Sequence, residues 1–178
     1  MQFIDQNQKK NLNTNLICLN LIILFNKIFM RKVQLECIVF RKTQNNLEFL
    51  LLKRISEKGG FWQPVCGGLE KEDNSKLDGA YRELLEETNI SKKDIIRVLE
   101  EIFTFEINKH YLTGKPIPAI KEYVYGFEVH PETVISIDNN ICIEHEEFKW
   151  VDFEEALNLL KWENNKQAFE RLHSLIVY

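Results

Sequence analysis

The segment from Asp78 to Ile90, Asp-Gly-Ala-Tyr-Arg-Glu-Leu-Leu-Glu-Glu-Thr-Asn-Ile, constrains the fold more than any other part of the chain. Its spacing predicts a helix with two unlike faces. At about 100° per residue, Glu83, Glu86 and Glu87 share one arc roughly 100° wide, while Leu77, Ala80, Tyr81, Leu84, Leu85 and Thr88 lie beside it. Such a helix sets its apolar face against a core and its carboxylates toward a cavity or solvent. Like charges three and four residues apart cost a few tenths of a kcal/mol per pair, so something must offset them. Water is one offset, since a charged run on a helix usually marks a solvated face. A hard divalent cation is the other, because Mg²⁺ takes oxygen ligands and shares its shell with phosphates. Two neighbours bear on the choice. Gly67-Gly68 lets the backbone approach a ligand closely, and Arg82 stands beside the first carboxylate, where it can orient the cluster.

The flanking patterns say what this helix packs on. Val33, Leu35, Cys37 and Val39 alternate with Gln34, Glu36 and Ile38, the period of a strand, and Asn45-Asn46 turns the chain into a partner strand from Leu47 to Arg54 with Leu50, Leu51 and Leu52 buried. Ser75 is placed to cap the acidic helix, with Asp78 as an imperfect capping box. Val98 to Ile107, Ala119 to Val129 and Phe148 to Val151 read as further strands, the second with Tyr123, Tyr125 and Phe127 on one side. Asp152 caps a helix through Leu160, and a last helix runs from about Asn165 to Ile176. Strands with one helix early and two late give an α/β (α+β) layered domain with a mixed sheet.

At 178 residues, 44% hydrophobic and 28% charged, the chain suits one globular domain. Residues 1–29 are Asn-rich, and their longest unbroken apolar run, Leu21 to Phe25, falls far short of the roughly 20 residues that span a bilayer. Lys9 and Lys10 before the apolar part suggest a signal peptide, but no small-residue cleavage pattern follows. We expect residues 1–29 to be an extension upstream of a natural start at Met30, with the domain spanning 30–178, and no membrane partner. Cys18, Cys37, Cys66 and Cys142 form no Cys-x-x-Cys pair, so neither a zinc site nor a disulfide framework is expected and the cytoplasm is the default compartment. The histidines, His110, His130, His145 and His173, are scattered without ligand spacing. With 23 basic against 27 acidic residues, net charge -4, a sequence-blind binder of nucleic-acid polymers is disfavoured. That charge is unevenly placed. Residues 67–90 carry seven acids against three bases and residues 144–155 six against one, leaving the remainder net basic, an arrangement suited to bridging a metal to a polyphosphate.

Gly68-x5-Asn74-x7-Arg82-Glu83-Leu84-x-Glu86-Glu87-x-Asn89-Ile90 resembles the Nudix box, Gly-x5-Glu-x7-Arg-Glu-U-x-Glu-Glu-x-Gly-U with U bulky and apolar. Two positions depart. Asn89 replaces the closing Gly, a mild change because Asn is the residue that next most readily takes the left-handed conformation of a helix end. Asn74 replaces the loop Glu and removes a charge, for which Glu70, Glu72 or Asp73 are the neighbouring substitutes. Phe61-Trp62-Gln63-Pro64-Val65, Glu144-His145-x-x-Phe148-Lys149-Trp150 and Trp162 with Asn165-Lys166-Gln167-Ala168 are similar to the bacterial dATP (dihydroneopterin triphosphate) pyrophosphohydrolase branch.

The resemblance implies a Nudix-like α/β/α sandwich and Mg²⁺-dependent (or Mn²⁺-dependent) attack of water on a phosphorus of a small nucleotide, with monophosphate and pyrophosphate released. It implies Glu86 and Glu87 as metal ligands, Glu83 as a further ligand or the base, the Gly67 carbonyl on the metal, and Arg82 within the catalytic cluster. Glu144 is a second base candidate, or a loop-surface charge. Arg54 is placed to contact phosphate, or is a strand-end surface residue; Trp62 is a base-stacking residue or core packing. Asn74 keeps open a second class, a Nudix-like domain that senses a nucleotide without hydrolysing it. Oligomeric state is not legible.

Overall fold

The computed structural model describes residues 32–44, 46–138 and 143–177, and the expected extension 1–29 lies outside them. Seven strands form one mixed sheet: β1 Val33–Lys42, β2 Leu47–Arg54, β3 Trp62–Gln63, β4 Val65–Gly68, β5 Ile95–Lys109, β6 Pro116–Val129 and β7 His145–Val151. Three helices accompany it among the described residues: α1 Lys76–Thr88, α2 Phe153–Leu159 and α3 Glu163–Val177.

The sheet is organised by a fork. β1 and β2 leave their hairpin paired only through residues 40–42 and 47–49. Beyond that they part, and the segment 62–68 enters between them, β3 pairing antiparallel with β2 and β4 antiparallel with β1. Pro64 lies between the two short strands and in neither ladder, where its missing N–H costs no ladder bond. On its other edge β1 runs parallel to β6, which pairs antiparallel with β5, while β7 closes the far side of β2.

Both faces of this sheet are covered. Leu35, Cys37 and Val39 of β1 join Tyr125 and Phe127 of β6 and Ala80 and Leu84 of α1 in one core. The alternate residues Ile38 and Phe40 join Phe49, Leu51 and Val124 in a second core, under Ala156 of α2 and Ala168, Phe169 and Leu172 of α3. The resulting helix, sheet, helix sandwich is the expected one. Each fully buried Leu or Phe contributes about 1.5–3 kcal/mol. Leu85 is a correction to the helical wheel: it sits at the edge of the apolar arc and is exposed, because the sheet covers only the Ala80 and Leu84 side.

The acidic helix is bounded as its sequence suggests. The Ser75 hydroxyl accepts a hydrogen bond from the Asp78 amide at 3.0 Å, and Asn89 ends the helix at φ 61° with its N–H donating to the Leu85 carbonyl. Positive φ crowds a Cβ, and Asn tolerates it better than other non-glycine residues. Asn89→Ala should therefore lower stability by about 1 kcal/mol and Asn89→Gly should not. Equal losses in urea unfolding would refute the left-handed cap.

Candidate active site

The carboxylate face of α1 meets β4, and the contact requires glycine. A Cβ built on Gly67 would fall onto the Glu83 carboxylate, so the strand backbone lies directly against the acid. Glu83 and Glu87 are 5% and 6% exposed, whereas Glu86, one turn away, reaches solvent. Burial, then the charges of Glu83 and Glu144, push the Glu87 carboxyl well above the usual carboxylate range. The Cys66 amide donates to that carboxylate, yet its Oε2 is buried with no hydrogen-bond partner. A buried oxygen without a donor, beside a second buried carboxylate and a closely approaching backbone, fits a divalent cation with oxygen ligands.

Arg82 distributes itself over this cluster. Its Nη1 donates to Glu83 Oε1 at 2.7 Å and to Glu86 Oε2 at 3.2 Å. Its Nη2 donates to the Gly68 carbonyl at 2.9 Å and, with Nε, grips Asp73 at 2.9 and 3.1 Å. The guanidinium therefore touches its own chain on every side and acts as a positioning residue. Asp73, one of the three loop acids considered beside Asn74, is the one Arg82 engages; Asn74 itself is exposed.

A second group faces Glu87 from the other side. The β2–β7 ladder slips between Lys53 and Arg54, where Arg54 pairs with His145, and this irregularity redirects Arg54 at the end of its strand. Arg54 Nη2 donates to Glu144 Oε2 at 3.3 Å, Lys58 Nζ lies 2.7 Å from Glu144 Oε1, and Arg54 Nε is buried without a partner. Burial raises the Glu144 pKa, but Lys58 and Arg54 outweigh it and hold the carboxyl below its ordinary value. Burial and then Arg54 push His145 down to about 4, and neither of its ring nitrogens has a partner. The charges of Glu83, Glu144 and Arg54 all act on Glu87, so these four side chains share one neighbourhood. Trp62 does not join them: it packs half-buried on the second core, with Lys149 Nζ 5.3 Å from its ring centre.

The sequence reading missed four residues on the opposite face of the sheet. Glu36 and Glu122 are fully buried, Cys66 of β4 is partly buried opposite Glu36, and one donor atom from each of these three falls within 4.8 Å of the others. Asn165 of α3 donates to Glu36 Oε2 at 2.7 Å. Burial raises both the Glu122 and the Glu36 carboxyls above the usual carboxylate range, the latter with a push from Glu122. Only the parallel pairing of β1 with β6 brings these acids together.

Comparison with known proteins places this geometry. The profile described as NUDIX domain matches residues 30–172. A dihydroneopterin triphosphate diphosphatase of Haemophilus influenzae is 30% identical over 139 residues, 75% of this chain and 82% of that protein. An octanoyltransferase of Myxococcus xanthus is 32% identical over 122 residues, but the chain spans only 31% of its length. The crystal structure of a NUDIX hydrolase from Listeria monocytogenes superposes with a TM-score of 0.66 at 30% identity, covering 82% of this chain and 94% of that one.

Gly67→Ala should cost about 1–3 kcal/mol by overpacking against Glu83, and Gly67→Ala/Glu83→Ala should recover most of it, since the clash disappears with the carboxylate. Urea midpoints of the wild type, the two single variants and the double variant check this, and an additive double mutant would contradict it. His145 gives a pH dependence of defined sign. Its folded pKa of about 4 lies below the unfolded 6.5, so the unfolded chain binds the extra proton and stability falls as pH drops from 6.5 toward 4. The difference reaches about 3 kcal/mol at the acid end. His145→Gln should flatten that part of the stability profile; an unchanged slope would rule the residue out.

Proposed function

This chain belongs to the NUDIX domain family, and on that premise we propose that it hydrolyses the pyrophosphate linkage of a nucleoside triphosphate or a related nucleoside diphosphate derivative, releasing monophosphate and pyrophosphate with Mg²⁺ as its metal. The observation that carries this reading is the partnerless, buried Glu87 Oε2 beside Glu83 and the close approach of Gly67. The resemblance to the Haemophilus diphosphatase supports a triphosphate substrate of small-molecule size.

In this reading Glu83, Glu86, Glu87 and the Gly67 carbonyl would hold the metal. When bound, a divalent cation neutralises phosphate charge and lowers the pKa of a coordinated water. Arg82 keeps Glu83 and Glu86 in place, and ties them to Asp73, without touching substrate. Arg54 binds phosphate through the N–H that lacks a protein partner. Lys58 and Arg54 neutralise Glu144 in the free protein; a polyphosphate competes for both cations and frees Glu144 to accept a proton from water. Glu83, buried against the Gly67 backbone, is the other candidate acceptor. Most of the rate enhancement then comes from positioning and electrostatics, as in other phosphoryl transfers.

A nucleotide sensor without turnover is the second reading, favoured by Asn74 in the place of an acid. A panel of dATP, other nucleoside triphosphates, dinucleoside polyphosphates, nucleotide sugars and a pterin triphosphate, assayed with Mg²⁺ for pyrophosphate and phosphate separately, separates the two. We expect pyrophosphate release, and Glu87→Gln lowering kcat at least a hundredfold, about 2.7 kcal/mol, with a smaller effect on KM. Binding without turnover on the whole panel would favour the sensor, and full activity in Glu87→Gln would remove that residue from the site.

A further inference from the structure

On the sheet face opposite the box carboxylates, we propose that Glu36, Cys66 and Glu122 form a second metal site, selective for a thiophilic divalent cation of the Zn²⁺ class and separate from the Mg²⁺ position. The two sites are parted by strand geometry. Cys66 and Gly67 are consecutive in β4, so their side-chain directions oppose; Gly67 faces Glu83 of α1, while Cys66 faces the side on which Asn165 of α3 reaches Glu36. Glu36 stands directly opposite Cys66 across the β1–β4 ladder, and Glu122 lies diagonally across the β1–β6 ladder, beside Gln34.

Three features mark the trio as a site beyond a chance gathering of acids. The donor set mixes one sulfur with two carboxylates, a combination suited to Zn²⁺ and poorly suited to Mg²⁺. Asn165 occupies Oε2 of Glu36 and orients the carboxylate, as outer groups do around metal ligands, leaving Oε1 fully buried with no hydrogen-bond partner. The Cys66 thiol hydrogen-bonds the Glu122 side chain, which brings sulfur and carboxylate into direct contact, and no Lys or Arg among the described residues forms an ion pair with either acid. The donor atoms lie within 4.8 Å of one another, close enough for side-chain rotation to bring them onto one ion. Cys66 is the least buried of the three residues. Three protein donors leave a fourth position for water or a ligand atom. Binding replaces the thiol proton and any carboxyl protons, which leave to solvent, with no change of oxidation state.

Cobalt(II) reports this chemistry independently of turnover. The full chain, stripped with chelator and held in excess Mg²⁺ to occupy the box carboxylates, is titrated with Co²⁺. We expect one equivalent to give the near-ultraviolet thiolate-to-cobalt absorption and the intense visible bands of a tetrahedral ion, both erased by Zn²⁺. Cys66→Ala should abolish the absorption, Glu122→Gln should weaken Co²⁺ binding at least tenfold, and Glu87→Gln should leave it intact. No thiolate band in the wild-type chain, or a band that persists in Cys66→Ala, would overturn the proposal; if Cys66→Ala fails to give a native circular-dichroism spectrum, an unweakened Glu122→Gln overturns it instead. Mg²⁺-dependent turnover is scored separately, so loss of the hydrolase reading leaves this result standing, and the reverse.

Discussion

Everything at the candidate active site hangs from one guanidinium. Arg82 spans the Gly68 carbonyl at the end of β4, Asp73 in the loop that follows, and Glu83 and Glu86 on the helix. These are the three pieces that must be held in register for a carboxylate face to look at a strand backbone. Without the cation, two buried acids would repel one another beneath a loop with nothing to anchor it. Lys in that place would carry the charge but could not reach four acceptors in a plane, because it lacks the fork of N–H groups.

The site is balanced in two halves. Around Arg82 the acids outnumber the base; around Glu144 two cations meet one acid. The space between Glu87 and Arg54 therefore runs from negative to positive over a short distance. The proposed metal–polyphosphate pair would have the same polarity, cation toward one end and phosphate oxygens toward the other.

What could be read from the sequence was what depends on near neighbours. The Ser75 cap, the left-handed Asn89 and the clustering of Glu83, Glu86 and Glu87 follow from spacings of one to four residues, and they hold in the structure. Leu85 misled because a helical wheel cannot say how wide a strip the sheet will cover. Glu36 and Glu122 were silent for a different reason. Each sits in an unremarkable strand pattern, and their meeting depends on a parallel pairing between residues more than eighty positions apart. Lys58 likewise joins Glu144 only after the loop beyond β2 folds back on the start of β7. Arg54 was legible as a strand-end cation, but its aim depends on the slip in the β2–β7 ladder.

The fork in the sheet has its own consequence. Because β1 and β2 separate after three residue pairs and the segment 62–68 is hydrogen-bonded first to one and then to the other, that segment works as a mortise joint cut through the middle of the sheet. The two arms cannot slide past each other without stripping ladder bonds from β3 and β4 together. The residues that must stay fixed to within a fraction of an ångström, Gly67 and Gly68, are at the inner end of that joint, so the part of the molecule with the least freedom to shear is also the floor on which the acids rest.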